Sequence, residues 1–251
     1  MMYYHAVVTE NRKLSSSMHI LKARIFENVV EKPRPLQFTM VWIPGVDELP
    51  MSIADYVDNE ITILFKVVGE GTRALSRYRG VLGIKGFLGN GYMPRKGERI
   101  LFVAGGSGIA PLPYLVRIAN SLGVHVDIVW GVKSSDMLFD VKSIVKGVGE
   151  VYYATNDCKT GFCGNVSDYV LELLRSDDKW DTIIAIGPKE MLTHVCKTGN
   201  EFGIETYVSL ETMVKCGIGF CGDCVVKPYP VLLCRQGPVF KCKEVGKHLE
   251  T

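Results

Sequence analysis

Residues 100–111 read ILFVAGGSGIAP, an apolar run that ends in a glycine-rich turn. The run predicts a buried strand, and the helical pattern of the following residues, up to 122, makes this a β-turn-α unit. A turn with Gly105, Gly106 and Gly108 can bring backbone N–H groups and a helix N-terminus up to a pyrophosphate. It departs from G-x-G-x-x-G because Pro111 stands at the third glycine position counted from Gly106. A purely structural turn therefore stays open as an alternative.

The second half of the chain continues this alternation of strands and helices. Apolar runs predict strands at 124–132, 151–155, 182–186 and 206–210, and helical patterns lie at 166–175 and 189–202. Strands alternating with helices predict a parallel sheet with crossover helices. Gly187-Pro188 directly follow one of these strands, at the carboxyl edge where open α/β sheets bind ligands. Taken alone, this pair also fits a simple strand-to-helix turn.

The first 98 residues have a different texture. Short alternating runs at 20–26, 36–42, 61–68 and 81–86 are separated by Pro, Gly, Asn and Asp. Several short strands at this spacing predict a β-sandwich or barrel. Within this part, Gly71-Thr72 can place backbone amides and a hydroxyl against a second phosphate group, although an ordinary turn is the alternative.

Composition narrows the class of protein. A chain of 251 residues with 47% hydrophobic and 22% charged residues is typical of a globular protein with about two domains. The net charge of +2 gives no reason to predict nucleic-acid binding. The N-terminus has no secretory signal pattern, and the longest uncharged run, 100–116, is broken by Gly and Pro, so we expect a cytoplasmic chain without a membrane span.

Four cysteines fall in one glycine-rich segment, KCGIGFCGDCVVKPYPVLLC at 215–234. Their order, C-x4-C-x2-C followed later by a fourth cysteine, is that of plant-type [2Fe–2S] ligands. The interleaved glycines let the backbone fold tightly, with its N–H groups facing the sulfurs. A four-cysteine zinc site is the main alternative, and uncoordinated thiols are a third.

The remaining cysteines, Cys158, Cys163, Cys196 and Cys242, lack this clustering. Cys158 and Cys163 lie near each other, and we expect two free thiols in a loop there, with a second redox pair as the alternative. Cys242 lies close enough to Cys234 to compete as a fourth cluster ligand. The five histidines are scattered without ligand spacing and are predicted to be exposed or satisfied: His5, His19, His125, His194 and His248.

The order of a barrel, a glycine-rich βα unit and a plant-type cysteine cluster resembles the ferredoxin–NADP reductase superfamily with an appended [2Fe–2S] domain. Within it, the chain most resembles the electron-transfer subunits of two-component dihydroorotate dehydrogenases. The resemblance covers nearly the whole length. It is carried by these segments: PMSIAD (50–55), GEGTRAL (69–75), LGNGY (88–92), VAGGSGIAPL (103–112), AIGPKEML (185–192), VSLETMVKCGIGFCGDC (208–224) and CRQGPVF (234–240).

The resemblance implies a multidomain fold and a set of site residues. It implies an antiparallel β-barrel FAD domain (1–98), an α/β parallel-sheet NAD-binding domain (99–210) and a small [2Fe–2S] domain (211–251). The implied FAD contacts are Leu49, Pro50, Met51, Ser52, Leu64, Phe65, Lys66, Gly71 and Thr72. The implied nicotinamide nucleotide contacts are Gly105, Gly106, Gly108, Ala110, Pro111, Gly187 and Pro188. The implied cluster ligands are Cys216, Cys221, Cys224 and Cys234.

Two departures from the family pattern stand out. The family commonly has Arg where this chain has Leu49, so a guanidinium that can pair with the FAD pyrophosphate is absent there. Lys66 and Arg73 are alternative donors. The segment NDCKTGFCGNVSD (156–168) also differs from the family's usual Asp/Gly/Ser-rich version.

The resemblance implies an oxidoreductase subunit with no catalytic residue of its own for dihydroorotate. Electrons from dihydroorotate, taken at the FMN of a partner catalytic subunit, would cross the cluster to FAD and leave to NAD⁺, in pyrimidine biosynthesis. Three alternatives remain open. They are a related NAD(P)H-linked subunit of a hydrogenase or ferredoxin oxidoreductase, a non-catalytic zinc-bearing module, and a subunit that keeps FAD and cluster but no longer uses NAD.

Overall fold

The first part of the chain forms a seven-stranded antiparallel sheet. The computed structural model describes residues 3–176 and 179–250. Along the sheet the strand order is β4-β3-β7-β1-β2-β6-β5. Its strands are β1 (Tyr3–Lys13), β2 (Met18–Ile25), β3 (Phe38–Ile43), β4 (Asp47–Ser52), β5 (Asp55–Val57), β6 (Glu60–Lys66) and β7 (Val81–Leu88), and helix α1 (Glu70–Arg77) lies between β6 and β7.

This sheet curls so that its ends approach each other. Strands β4 and β6 lie near opposite ends of the strand order, yet they are in contact. The alternating side chains of β2 and β6 point inward into a core that includes Leu21, Ala23, Ile61 and Ile63. The predicted antiparallel barrel is therefore confirmed as a half-closed barrel. Its central strand β1 was not among the predicted apolar runs.

The second part forms a parallel sheet covered by helices on both faces. Its strand order is β11-β10-β9-β8-β12-β13-β14, and only β14 runs antiparallel to its neighbour. The strands are β8 (Arg99–Gly105), β9 (His125–Val132), β10 (Val151–Thr155), β11 (Phe162–Cys163), β12 (Thr182–Ile186) and β13 (Glu205–Ser209). The helices are α2 (Leu112–Ser121), α3 (Val141–Ile144), α4 (Val166–Arg175) and α5 (Lys189–Glu201), with short 3-10 helices at Gly106–Ile109 and Ser135–Met137.

The chain order of this sheet creates a switch point between β8 and β12. From β8 the chain adds β9, β10 and β11 on one side, then crosses to add β12 and β13 on the other. The loops at the carboxyl ends of β8 and β12 consequently leave in opposite directions and open a crevice. In open α/β sheets this crevice is where ligands bind.

The last segment is built into the rest of the molecule. It contains α6 (Leu233–Gln236), β14 (Val239–Lys241) and α7 (Cys242–Glu250), and β14 extends the second sheet by pairing with β13. Cys224 and Cys234 are buried in the same hydrophobic core as Met40 and Leu88 of the barrel. The predicted boundaries at 98 and 210 stay predictions, but the parts that they separate share one core.

A close backbone contact joins the barrel to this segment. The Gly89 backbone has φ +77°, and a Cβ there would lie 2.2 Å from the carbonyl oxygen of Gly237. Asn90 donates from its backbone N–H to the same oxygen at 2.7 Å and from Nδ2 to the Gln236 carbonyl at 2.6 Å. The turn after β7 thus fixes the position of the cysteine-rich segment.

The expectation of two free thiols at Cys158 and Cys163 is wrong. Cys158 is bonded to Cys163, and Cys196 in α5 is bonded to Cys242 at the start of α7. The second pair is separated by 46 residues, so only the packing of α5 against α7 brings it together. Cys242 is therefore committed to a disulfide and does not compete with Cys234. Cys216, Cys221, Cys224 and Cys234 form no disulfide.

In the ranges 3–176 and 179–250 no helix combines the length and the apolar character needed to cross a membrane.

The Gly89 contact predicts that adding one methyl group at this position lowers the stability of the fold markedly. We expect Gly89→Ala to lower the free energy of unfolding by roughly 2–4 kcal/mol, because it adds backbone overlap to the cost of a positive φ. Gly97→Ala is the matched control, since Gly97 has φ +82° but nothing within 4 Å of its Cβ position. It should cost about 1 kcal/mol. Urea unfolding measures both, and equal losses would contradict the assigned contact.

Candidate functional site

A cleft of about 640 Å³ lies at the switch point of the second sheet, facing the barrel. Five residues predicted from the sequence lie in its wall: Lys66, Gly105, Gly106, Gly187 and Pro188. The structure therefore brings together the ends of β6, β8 and β12, which are far apart in the sequence. The other lining residues include Ser107, Gly131, Val132, Lys133, Met137, Asn156, Gly164, Asn165, Val166, Ser167, Glu190, Met191, His194 and Glu211.

The floor of the cleft is backbone because side chains have no room there. A Cβ on Gly187 would lie 3.0 Å from the Cα of Gly105, and a Cβ on Gly105 would lie 2.8 Å from Pro188 Cδ and from Met191 Sδ. Trp130 holds the turn by donating from Nε1 to the Gly106 carbonyl at 2.9 Å. Two close glycine turns leave their peptide groups accessible to a flat or anionic ligand.

Gly108, Ala110 and Pro111 do not line the cleft. A Cβ on Gly108 would lie 2.0 Å from the carbonyl oxygen of Ile186, so this glycine lets the 3-10 turn pack on β12. Ala110 is buried in the core beneath the sheet, and Pro111 precedes the first residue of α2. In the structure these three residues fix the turn beneath the cleft, and their predicted contact with a nucleotide stays a prediction.

The predicted FAD residues converge from β4 and α1. Gly71 at the start of α1 lies against β4, where an added Cβ would be 2.6 Å from Asp47 Oδ2 and 3.0 Å from Leu49 Cδ2. In β4, Met51 is buried in the barrel core, Leu49 and Ser52 are half-buried, and Pro50 is exposed. The first amides of a helix have no intrahelical acceptor, so the start of α1 offers them beside β4.

The Thr72 hydroxyl is used within its own turn. Its Oγ1 accepts from the backbone N–H of Val68 at 2.9 Å and of Gly69 at 3.0 Å, and it donates to the Gly69 carbonyl at 3.1 Å. One donor and two acceptor positions are all that a hydroxyl has. In this arrangement the Thr72 hydroxyl stabilises the turn and has no position left for a ligand. The backbone amides at the start of α1 are the donors that a phosphate could use.

Residues 64–66 alternate in environment. Leu64 is buried where the barrel packs on the second sheet, and Phe65 is buried inside the barrel. Lys66 alone reaches the cleft, and it is the one cation that β6 brings there. Lys66 therefore offers an ammonium group that can pair with an anionic group of a ligand in the cleft.

An aspartate next to the cleft residue Asn156 was missed by sequence reasoning. Asp157 follows β10 and accepts from the backbone N–H of Ser135 at 3.0 Å, and from the hydroxyls of Ser135 at 2.8 Å and Ser134 at 3.1 Å. The Ser135 amide and the two hydroxyls hold the pKa of this carboxyl well below its usual range. It is therefore a fixed negative charge between two loops whose neighbours Lys133 and Asn156 line the cleft. Its signal in the sequence is its place just after a predicted strand.

Glu211 was also missed, although it lies one residue beyond a predicted strand. It lines the cleft where the cysteine-rich segment begins. Its side chain is exposed at the cleft, but nearby protein atoms displace part of the water around its carboxyl. This desolvation raises the pKa of the carboxyl above its usual value. Glu211 is thus the point at which the cysteine-rich segment borders the cleft.

The four clustered cysteines lie as two neighbouring pairs. Cys216 Sγ accepts from the backbone N–H of Cys221 at 3.4 Å, and Cys224 Sγ lies 3.3 Å from Cys234 Sγ. The backbone amides of Cys221, Ile218 and Phe220 lower the pKa of Cys216 to about 6. Burial, followed by the neighbouring Cys224, raises the pKa of Cys234 to about 11.

The loop that carries these cysteines has the shape expected around a cluster. Gly217, Gly219 and Gly222 all have positive φ, which turns successive amides inward. Gly217 is seated on the barrel, since a Cβ there would lie 2.8 Å from Leu88 Cδ1 and 3.1 Å from Met40 Cγ. The loop therefore lies directly on the barrel.

The donor set fits a two-iron cluster. Two neighbouring thiol pairs match two metal centres with two thiolates each, and backbone amides already face the Cys216 sulfur. Cys216, Cys221, Cys224 and Cys234 can therefore serve as its ligands.

The half-closed antiparallel barrel beside a switch-point cleft is a ferredoxin-NADP reductase-like fold, and solved reductase structures share it. A chain of an NADH-dependent reduced ferredoxin-NADP oxidoreductase is similar with a TM-score of 0.83 and 24% identity, covering 97% of this chain and 92% of that one. A ferredoxin NADP+ reductase from Neisseria gonorrhoeae has a TM-score of 0.65 and 12% identity, covering 81% of this chain and 92% of that one.

The chain belongs to the family of dihydroorotate dehydrogenase B electron transfer subunits, as the sequence motifs predicted. Residues 211–246 match the family model of the iron-sulfur cluster binding domain of dihydroorotate dehydrogenase B. The dihydroorotate dehydrogenase B (NAD(+)) electron transfer subunit of Caldanaerobacter subterraneus is 34% identical over 250 residues, 96% of this chain and 97% of the relative. A probable subunit of the same name from Methanocella arvoryzae is 38% identical over 226 residues, 86% and 84% of the two chains.

The amides around Cys216 predict unequal thiol reactivity in the chain without metal. At about pH 7 we expect iodoacetamide to label Cys216 faster than Cys221, because the thiolate is the nucleophile. As the pH rises through about 6, Cys216 loses its proton and its labelling rate should reach a plateau, whereas the pKa of Cys221 is raised. Peptide mass spectrometry measures both rates in one sample. Equal rates, with both midpoints near the ordinary thiol value, would contradict the assignment.

Proposed function

We propose that this chain carries electrons from dihydroorotate oxidation, performed at the FMN of a partner catalytic subunit, through a [2Fe–2S] cluster and FAD to NAD⁺ in cytoplasmic pyrimidine biosynthesis. The observation that carries the proposal is the common core of the cysteine segment and the barrel. Cys224 and Cys234 pack in one cluster with Met40 and Leu88. A centre held there lies against the barrel that the sequence motifs assign to FAD.

The cysteine segment serves to hold the cluster and to orient it. Cys216, Cys221, Cys224 and Cys234 would be its ligands, with backbone amides donating to the sulfurs. Lys85 of the barrel contacts the Cys216 carbonyl at 3.5 Å and is itself fixed by Glu48 at 2.8 Å. These contacts keep the loop in one place on the barrel.

The barrel and the cleft serve to bind the two nucleotides. When bound, FAD supplies the conversion between hydride exchange with NAD and the single-electron chemistry of an iron–sulfur centre. The start of α1 beside Leu49 would take its phosphates, with Lys66 as the nearby cation. The glycine turns at Gly105 and Gly187 would take the dinucleotide, and their lack of side chains lets it approach the barrel closely.

The surface around the cluster loop supports a subunit contact. Phe220 is 88% exposed and Met213 is 66% exposed, and Ile218 between them is also exposed. Large apolar side chains grouped on a surface mark interaction sites. They lie in the same segment as the exposed Cys221, so a catalytic subunit docked there would lie next to the cluster.

A pair of variants tests the ligand assignment. We expect the purified chain to contain equal iron and acid-labile sulfide, and Cys234→Ser to lose both together with the visible absorption of the cluster. Cys242→Ser is the matched control because Cys242 is bonded to Cys196 rather than free. It should keep iron and sulfide. Loss of the cluster only in Cys242→Ser, or zinc without sulfide in the parent chain, would overturn the assignment.

A reconstitution experiment tests the electron path. The chain alone should oxidise NADH with an artificial acceptor but should form no orotate, because every described element belongs to the barrel, the sheet or the cysteine segment. Added FMN-containing catalytic subunit should restore dihydroorotate-dependent NAD⁺ reduction. Cys234→Ser should keep NADH oxidation and lose the coupled reaction. Orotate formation by the chain alone, or coupling only to a hydrogenase or ferredoxin, would contradict the proposal.

A further inference from the structure

A disulfide-closed loop forms the outer rim of the nucleotide cleft. After Thr155 the chain turns away from β10 and returns as β11, which runs beside β10 with Thr155 opposite Cys163. Cys158 and Cys163 close this loop covalently across five residues of sequence. Gly161 packs so tightly that a Cβ there would lie 2.0 Å from the Tyr153 carbonyl oxygen. The loop therefore has little freedom while the disulfide is intact.

Both ends of this loop reach the cleft. Asn156 precedes the disulfide-bonded segment, Gly164 and Asn165 follow it, and all three line the cleft. Between Asn156 and Cys158, Asp157 accepts the hydrogen bonds from Ser134 and Ser135 that join the loop to the segment after β9. A change in the loop is consequently transmitted to two walls of the cleft.

The two disulfides of the chain differ in accessibility. Cys158 and Cys163 are both exposed, whereas Cys196 and Cys242 are half-buried against the hydrophobic core. Thiol–disulfide exchange needs a thiolate to approach a sulfur directly, so access decides which bond reacts first. A soluble dithiol should therefore reduce the loop disulfide and spare the other.

We infer that the Cys158–Cys163 disulfide is a thiol–disulfide redox site that sets how tightly the cleft holds its dinucleotide. The inference rests on the proposed function, in which this cleft binds NAD. In the reaction a dithiol gives two electrons and two protons to the chain. The Cys158–Cys163 bond breaks to two thiols, and the dithiol becomes a disulfide.

Reduction should weaken binding because the opened loop must be ordered again when the ligand binds. Cross-linking a loop removes conformational freedom, and that freedom returns when the bond breaks. The loss of order falls on the loop, whose ends at Asn156, Gly164 and Asn165 line the cleft. We expect the dissociation constant for NAD⁺ to rise about 3- to 30-fold.

The first arm of the test measures selective reduction in the holoprotein with its FAD and cluster. Graded dithiothreitol under anaerobic conditions, followed by alkylation and peptide mass spectrometry, should label Cys158 and Cys163 before Cys196 and Cys242. Trypsin should then cut faster after Lys159, which lies inside the loop. Simultaneous labelling of both pairs, or unchanged cleavage after Lys159, would overturn the inference.

The second arm measures NAD⁺ binding by calorimetry after removal of the dithiol. A Cys158→Ser/Cys163→Ser double variant should bind as weakly as the reduced parent and should not respond to dithiol. A Cys196→Ser/Cys242→Ser double variant is the matched control and should keep the response. Equal affinity of oxidised and reduced parent would overturn the inference. If neither state binds NAD⁺, both the proposed function and this inference fail, while selective reduction would still be recorded by the first arm.

Discussion

The contact between the turn at Gly89 and the backbone at Gly237 is the constraint on which the arrangement of this protein depends. It brings the end of the barrel within hydrogen-bonding distance of the cysteine-rich segment. Because a Cβ at Gly89 would overlap the carbonyl oxygen of Gly237, the two backbones meet directly. Met40 and Leu88 of the barrel then pack in one core with Cys224 and Cys234. Redox centres that exchange electrons must be held at a fixed separation, and a shared core achieves this without a flexible linker.

The floor of the cleft is made by backbone, and charged side chains lie around it. Gly105 and Gly187 remove side chains from the floor, and α1 offers its first amides beside β4. Lys66 reaches the cleft from the barrel, and Asp157, a carboxylate held by Ser134 and Ser135, lies next to the lining residue Asn156. Under the proposed function, such a surface would recognise a dinucleotide by shape and by the dipoles of its peptide groups.

The sequence predicted the regular core well and the irregular rim poorly. The strands at 151–155 and 182–186 and the helix at 166–175 have the predicted bounds, because their apolar periodicity reflects burial against one sheet. Strand β1 was not predicted because few of its residues are fully buried, so its alternation of apolar and polar residues is weak. The Cys196–Cys242 bond joins residues that only tertiary packing brings together. Asp157 and Glu211 were missed because a single carboxylate has no periodic signature in the sequence. The cluster cysteines were predicted because their spacing along the chain itself indicates a metal site.

Strand β14 has a consequence for how this chain can be divided or joined to other proteins. It covers the edge of β13 by antiparallel pairing at Tyr207, Val208 and Ser209. A fragment that ended at the predicted boundary of the nucleotide domain would leave β13 with unpaired amides and carbonyls. Open edges of this kind template association with other strands and lead to aggregation. The metal-binding segment therefore also protects the edge of the second sheet. An exchange of this segment between relatives would have to include strand β14.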